Sequence, residues 1–457
     1  MMIPAVDSFR ALLASHPPYP GRYWIAYSGG LDSHVLLHLC AQARSQFPSI
    51  PEFRAIHIHH GLQPQANGWA EHCERTSRTL GIPFSLIAVD ARAQAGESPE
   101  EAARRARYRA IRDQLSPGET VLTAQHVDDQ AETLLLQLIR GAGLAGLAAM
   151  PRFARFAPGF LLRPLLGHTR EELSRYASEH GLRWVDDPSN TDVGYDRNFM
   201  RHRVLPLLAQ RWPSVSQSLA RSAGHCAEAL EQLENLSADL YQTALNGDGR
   251  SLSIARLKSY KPADQRLVLR HWLKTSGYRM PAAVVLERIR RELLPAAADR
   301  MPRVAWSEGE VRRYRDGLFV LPMLPSVDNS VSIAWDGASN LQLPGSNGEL
   351  HVEPATPGLG IDAAAWHTGP IRVAFRQGGE CCRLPHRAGS HSLKKLFQEA
   401  GIPPWLRERA PLVYIGDELA AIGEWWVTER FAASCGTPSV SLRWTRAPMA
   451  VAPSGGE

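Results

Sequence analysis

The stretch YSGGLDSHVLLHL, Tyr27 to Leu39, places two glycines, a serine on either side and one aspartate between an apolar run and an amphipathic one. A loop that leaves a strand and enters a helix turns the backbone amides of Gly29, Gly30 and the helix start at Leu31 toward an anion, with the Ser28 and Ser33 hydroxyls as further donors. Asp32 would repel a phosphate unless a divalent cation bridges them, which points to ATP carrying Mg2+. The plainer reading is a glycine turn followed by an acid that complements the helix dipole. A lysine-bearing phosphate loop is excluded here, because the first lysine of the chain is Lys258.

A second constellation runs from His126 through Asp128, Asp129 and Glu132 to Thr133. Asp128 and Glu132 fall on one helical face, and Asp129 lies about a quarter-turn further round. These carboxylates suit Mg2+ or a substrate ammonium, or they cap a first helical turn. Glu100, Arg104 and Arg107 share a helix face as well, either as an ion-pair face or as guanidinium groups set against phosphate. Arg197, Asn198, Arg201 and Arg203 form another basic helical start, which is either a solvated face or a phosphate contact. His57 and His59 alternate onto one strand face, but no nearby cysteine completes a ligand set, so no structural zinc is expected. The GxGxxG spelling from Gly141 to Gly146 follows a helical pattern instead of a strand and reads as a helix-terminating turn.

The elements that must position these residues are legible from Tyr23 onward. YWIAYS (Tyr23 to Ser28), FRAIHIH (Phe53 to His59), FSLIAVD (Phe84 to Asp90) and TVLTAQH (Thr120 to His126) read as strands, each followed by a helical period. That alternation predicts a parallel sheet covered by helices on both faces, with ligands beyond the carboxyl ends of its strands. After Trp212 and Pro213 come helical stretches at Ser214 to Leu245, Pro262 to Lys274 and Pro281 to Leu293. RVAWSEGEVRRYRDGLFVLP then predicts short strands with turns at Gly309 and Gly317. Asp336 to Pro357 reads as a linker region, followed by a small basic α+β domain and a frayed tail from Ala447.

Composition bounds the partners. The 457 residues suffice for two or three domains, and no apolar run is long enough to span a bilayer. Six sparse cysteines, the adjacent Cys381 and Cys382 among them, argue against a disulfide framework and lack the CxxC spacing of sulfur transfer. With no secretory pattern at the N-terminus, a cytoplasmic protein without membrane partners is expected. Ile371 to Arg409 carries eight Arg or Lys against three acids, an excess equal to the net charge of +5 of the whole chain. Within it Leu393, Leu396 and Phe397 form a core stripe that turns Lys394 and Lys395 outward, toward phosphate contacts.

The SGGLDS loop resembles the SGGxDS motif of the PP-loop ATP pyrophosphatases, which cleave ATP to AMP and pyrophosphate. AIHIHHGLQ (Ala55 to Gln63), PEEAARRARY (Pro99 to Tyr108), AQHVDDQAETLLLQLIRGAGLAGLAAM (Ala124 to Met150) and DDPSNTDVGYDRNFMRHRVLPLL (Asp186 to Leu208) each resemble a block of the tRNA(Ile)-lysidine synthetases. Leu384 to Val427 is similar to their C-terminal domain. The resemblance implies an α/β fold: a parallel-sheet PP-loop ATPase domain over 1–212, a mixed, largely helical, tRNA-contacting middle domain over 213–345, and a small basic α+β tRNA-binding domain over 355–446. It implies that L-lysine is joined to the wobble cytidine of an isoleucine tRNA with a CAU anticodon, through an adenylated tRNA. It further implies Asp32, Arg104, Asp129 and Glu132 as catalytic residues, Ser28, Gly29, Gly30, Leu31, Asp32 and Ser33 as the nucleotide-binding loop, and Asp32 and Asp129 as Mg2+ ligands. The alternatives are another PP-loop tRNA modifier such as a thiolase, disfavoured by the absent cysteine pair, and a catalytically inactive nucleotide- or RNA-binding module.

Overall fold

Apolar runs of three to eight residues become the strands of one sheet because both of their faces find cover. In the computed structural model, β1 (Arg22–Ala26), β2 (Glu52–His59), β3 (Phe84–Ala88), β4 (Thr120–Leu122), β5 (Phe153–Phe156) and β6 (Gly159–Leu162) pair in the order β3-β2-β1-β4-β6-β5. All are parallel except the edge strand β5, which joins β6 antiparallel. The structure describes residues 6–15, 21–61, 65–90, 92, 99–297 and 300–446, with nothing said of the side chains of 99–101. The tail read as frayed lies outside the described residues.

Side-chain alternation along β1 explains the two layers. Tyr23 and Ile25, with Tyr27 just beyond the strand, enter a core with Phe9, Leu36 and Leu37, whereas Trp24 enters the opposite core with Ile56, Ile111, Val121 and Leu161. The helices supplying these cores include α1 (Val6–Ala14), α2 (Leu31–Gln46), α3 (Ala66–Thr79) and α4 (Pro99–Gln114), and the helix Arg170–Glu179 adds Leu173 and Ala177. Each fully buried Leu or Ile there contributes roughly 1.5–3 kcal/mol through lost apolar exposure. A fifth helix, α5 (Val127–Ile139), starts beyond the carboxyl end of β4. It ends at Gly141, whose left-handed φ of 67° supplies the helix-terminating turn expected of the GxGxxG spelling. The β5–β6 hairpin was not anticipated, since two four-residue strands carry too short a pattern to separate from loop.

The chain divides into two compact units, with the boundary between Asn235 and Leu236 inside the long helix Val215–Ala244. In the second unit, helices Ile254–Ser259, Pro262–Thr275 and Ala283–Arg288 share a core with a four-stranded antiparallel sheet made of Leu252–Ser253, Gly317–Pro322, Gly309–Tyr314 and Arg303–Ala305. Gly309 and Gly317 begin strands here instead of forming the turns. The left-handed residue of the turn between them is Arg315, with φ 53°. Gly309 is needed for space, because a Cβ there would lie 2.8 Å from the Leu321 carbonyl oxygen.

The passage expected as a linker is folded. Glu349–Ala355 pairs with Ser439–Thr445 along seven residues, and Leu350 is buried beside Trp366 and Trp444. Its Gly, Pro and Asn content makes the tight connections of this sheet, and the polar composition masked the strand between them. The neighbouring five-stranded antiparallel sheet, from Ser332–Trp335 to Trp426–Val427, shares that core through Trp335 and Val373. The region is therefore a small α+β structure of antiparallel sheets, as its short runs predict. Leu393, Leu396 and Phe397 are buried and Lys394 and Lys395 exposed, as the helical spacing requires.

Candidate active site

The phosphate loop lies between β1 and α2, and its serines build the turn. Ser33 Oγ donates to the Gly30 carbonyl at 3.0 Å, accepts from Ser28 N at 3.2 Å and lies 3.0 Å from Ser28 Oγ. In this conformation the Ser33 hydroxyl is spent on the loop. Gly29 has φ 88°, and a Cβ on it would lie 2.9 Å from the buried Cys73 Sγ, so both the backbone and the space demand glycine. Gly30 is extended and opens α2 with no side-chain cap, leaving the first amides of the helix for an anion. Val185 N donates to the Gly29 carbonyl at 3.0 Å and so fastens a distant segment against the loop.

β1 and β4 are adjacent, and β2 and β6 continue the sheet in opposite directions from them. Chain connections on either side of such a pair diverge and leave a crevice at the carboxyl ends. Asp32 enters it from α2 and His126 from the end of β4. His126 is 1% exposed and sits at the N-cap of α5, where its backbone N donates to Asp129 Oδ2 at 3.0 Å. Its Nε2 lies 3.6 Å from Asp32 and 3.4 Å from Asp129, and its Nδ1 3.5 Å from the Asp128 carboxylate. Burial alone would push the His126 pKa down, but Asp129, Asp128 and Asp32 outweigh it and hold the ring protonated, with a pKa raised to about 10. Nδ1 then points its proton at the Asp128 carboxylate. Burial would raise the pKa of Asp128, yet hydrogen bonds from His126 and the Arg170 amide hold it well below the ordinary carboxylate value.

Glu132 is fully buried, and its partners come from about 65 residues downstream. Arg197 Nε donates to Glu132 Oε2 at 2.7 Å and its NH2 to Asp129 Oδ1 at 2.8 Å. Arg201 Nε donates to Glu132 Oε1 at 2.6 Å, and its NH2 lies 3.1 Å from both Asp129 Oδ1 and Glu132 Oε2. Burial works against charge on Asp129, but His126, Arg197 and Arg201 overcome it and keep that carboxylate ionised. The same lattice raises both guanidinium pKa values against the opposing effect of burial.

The structure thus brings together Ser28, Gly29, Gly30, Leu31, Asp32 and Ser33 as one loop, and His126, Asp128, Asp129 and Glu132 as one acidic cluster beside it. Arg104 is exposed, with its guanidinium 4.8 Å over the Tyr108 ring, and is not among the hydrogen-bond or ion-pair partners of that cluster. Arg107 Nε lies 3.4 Å from His60 Nε2, and the Glu100 side chain is outside the described residues. Asn198 ties the Ser189 and Asp192 carbonyls together, and Arg203 is exposed. His57 is buried against the Tyr27 carbonyl at 2.9 Å. Sequence reasoning missed the charged role of His126 and the pairing of Arg197 and Arg201 with the acids. Only the place of His126, between a strand end and two acids, hinted at the first.

Asp32 suits a hard cation. Its Oδ1 is buried with no hydrogen-bond partner beside the open end of α2, which is costly for a carboxylate oxygen unless something fills the position. Asp129, the other expected ligand, has Oδ1 against two guanidinium groups and Oδ2 on the His126 amide. Among the described residues no group of three His, Cys, Asp or Glu forms a metal set. A cation at Asp32 would therefore draw its other oxygens from phosphate and water.

A parallel sheet with an amide-rich loop at its switch point and an acid beside that loop defines a PP-loop, ATP-using protein. Comparison with known proteins carries this further. Residues 6–208 match the PP-loop domain model, residues 252–319 the TilS substrate binding domain and residues 371–444 the TilS substrate C-terminal domain. The chain is 48% identical to the tRNA(Ile)-lysidine synthase of Methylococcus capsulatus over 96% of its length and 99% of that protein's. It is 43% identical to that of Coxiella burnetii over 90% of each chain, and 39% identical to that of Xanthomonas campestris over 95% of this chain and 97% of that one. The chain belongs to the tRNA(Ile)-lysidine synthase family. Neither the matched domains nor these relatives favour a thiolase.

Proposed function

We propose that the protein joins L-lysine to the wobble cytidine of an isoleucine tRNA with a CAU anticodon, in the cytoplasm, at the expense of ATP and with Mg2+ as cofactor. The observation that carries the chemistry is the partnerless Asp32 oxygen beside the loop amides, in a chain that matches its relatives from end to end. Cytosine carbon two is a poor electrophile until its oxygen carries AMP, so adenylation of the base comes first and amine attack second. An anticodon loop presents an unstacked base for this at little cost.

The amides of Gly29, Gly30 and Leu31 face phosphate oxygens, and Asp32 would hold Mg2+, which when bound would supply neutralisation of phosphate charge. Asp129 and Glu132 act by fixing Arg197 and Arg201, whose unspent N–H groups present a fixed positive edge to an anion, either phosphate or the carboxylate of lysine. His126 holds Asp32, Asp128 and Asp129 together as an imidazolium. Four carboxylates against these three cations leave one negative charge, which on the Asp32 side suits Mg2+ or the lysine ammonium, while the guanidinium edge meets the anion. Arg104, exposed on α4, serves as a phosphate contact reached from outside the cluster. We assign nucleotide chemistry to residues 1–212 and tRNA contact to residues 213–345 and 355–446.

The test is incubation of the protein with labelled lysine, ATP, Mg2+ and an isoleucine tRNA transcript with a CAU anticodon. Label should enter the tRNA with AMP and pyrophosphate as products. Formation of ADP, or of lysyl-AMP without tRNA, would overturn the reading.

A further inference from the structure

The second unit contains a cavity of about 250 Å³ that the ligation chemistry does not use. Its walls come from three stretches far apart in sequence: Arg312 on a strand, Ser326 and Asn329 on the following loop, and Trp405, Glu408 and Arg409 around a short helix. The walls are tied together. Arg409 donates to the carbonyl oxygens of Pro325 and Gly345, Asn347 donates to the Arg409 carbonyl at 2.7 Å, and Arg407 donates to the Tyr314 hydroxyl at 2.8 Å. A cavity braced in this way is preformed, and it is slightly below the usual range for drug-sized ligands.

Its chemistry is specific. Arg409 is only 6% exposed, yet no carboxylate lies within ion-pair distance of it among the described residues. Two of its five N–H groups meet backbone carbonyls, which leaves three for an acceptor in the cavity. A buried guanidinium without a counter-ion is expensive, and an anion entering the cavity would complete it. Arg312, already paired with Glu310 at 2.6 Å, adds positive potential from the opposite wall, and Glu408 stands exposed at the rim. Burial, then the Arg312 charge, pull the Arg409 pKa down, against a smaller opposing pull from Glu408. Trp405, 5% exposed and held by Phe319, Tyr314 and the Arg312 guanidinium 5.6 Å from its ring centroid, gives the cavity an aromatic wall. Asn329 Oδ1 is a buried acceptor with no partner, suited to the exocyclic amine of a base.

An anion site, an aromatic surface and a base-edge acceptor within one cavity match a single nucleotide. We propose that this cavity binds a nucleoside monophosphate unit, with the phosphate on Arg409 and the base against Trp405 and Asn329. In use, that unit is one unpaired nucleotide of the RNA substrate, a step that rests on the tRNA reading above. Free AMP, released by the same reaction, has the same chemistry and is the other source.

The experiment uses the full chain and two variants. Ser326→Trp fills the cavity from its exposed rim and leaves its charged groups in place, and Arg409→Gln removes the buried charge, with thermal melting as the check on the folding of both. Filter binding measures affinity for the isoleucine tRNA transcript, and equilibrium dialysis measures retention of labelled AMP and UMP. A loss of tenfold or more in tRNA affinity in Ser326→Trp, with AMP not retained by the wild type, supports the RNA nucleotide. Retention of AMP over UMP by the wild type, lost in Ser326→Trp while tRNA affinity holds, supports the free nucleotide. If Ser326→Trp changes neither, the proposal is overturned whatever Arg409→Gln does. A wild-type protein that binds tRNA but transfers no lysine would sink the functional reading and leave this binding result standing.

Discussion

Replacing Glu132 by glutamine removes one charge from the centre of the arginine–carboxylate lattice and changes the shape of the side chain very little. Glu132 is fully buried, whereas the Arg197 and Arg201 side chains are 25% and 24% exposed. At about 4 Å and an effective dielectric of about 20, each pair is worth roughly 4 kcal/mol before desolvation is subtracted. Breaking one side of a buried pair costs about 3–5 kcal/mol, because the remaining charge is left uncompensated. The lower end applies here, since both arginines keep a hydrogen bond to Asp129 Oδ1, at 2.8 and 3.1 Å. The glutamine amide also points donor hydrogens at guanidinium donors. Glu132→Gln should therefore lose about 3 kcal/mol, a fall in Tm of about 6–12 °C at the usual 2–4 °C per kcal/mol for a unit of this size. Urea and thermal unfolding of the wild type, Glu132→Gln, Arg201→Gln and the double variant give the cycle. The double variant should cost less than the sum of the singles by more than about 0.5 kcal/mol. A single-variant loss under 1 kcal/mol, or simple additivity, would show that the lattice is not a coupled buried unit.

Asp32→Ala should stay folded, because the side chain is one-third exposed and Asp128 and Asp129 still face His126, while pyrophosphate release falls by about 10²–10³. Near-normal turnover at saturating Mg2+ would count against Asp32 as the cation's ligand. The folded pKa of His126 stands above its unfolded value near 6.5, so its stabilisation is complete below about pH 6.5 and is lost as pH rises through about 10. The stability difference between the wild type and His126→Gln should shrink over that interval in urea titrations, and a constant difference would contradict the imidazolium. Gly29→Ala should cost about 1–3 kcal/mol, since alanine disfavours φ 88°; adding Cys73→Ala should recover only the part due to the 2.9 Å contact, and full recovery would mean the backbone was never strained. With tRNA present and lysine absent, a burst of pyrophosphate should appear, and its absence would place lysine before adenylation.

What the sequence discloses depends on how local the cause is. β1 to β4 were legible because each is an apolar run bounded by turn residues, and the loop between Ser28 and Ser33 was legible because a Gly-Gly-Leu-Asp order has few other uses. Glu349–Ala355 was hidden because its partner strand begins 84 residues later at Ser439, and only that pairing makes a polar, proline-containing run a strand. The turn at Arg315 was misplaced onto glycines, since glycine tolerates a left-handed turn but is not required for one. The acidic cluster was visible as a spacing, yet its partners were not. Arg197 and Arg201 read as a solvated or phosphate-binding face, and only the folded chain turns them onto Asp129 and Glu132.

That pairing also explains why the segment from Val185 to Arg201 belongs to the site at all. It contributes no strand to the sheet and could drift as a surface loop. Three of its attachments reach the site: Val185 N on the Gly29 carbonyl, Arg197 across Asp129 and Glu132, and Arg201 across the same two acids. The first attachment fixes the phosphate loop from outside, and the other two convert a pair of inaccessible carboxylates into a rigid cationic edge. A lysine at either arginine position would keep the charge and lose the fork that spans two acids. On the proposed reading the acids of α5 would govern anion recognition without touching an anion, and Asp32, with a buried oxygen left open, would meet the cation.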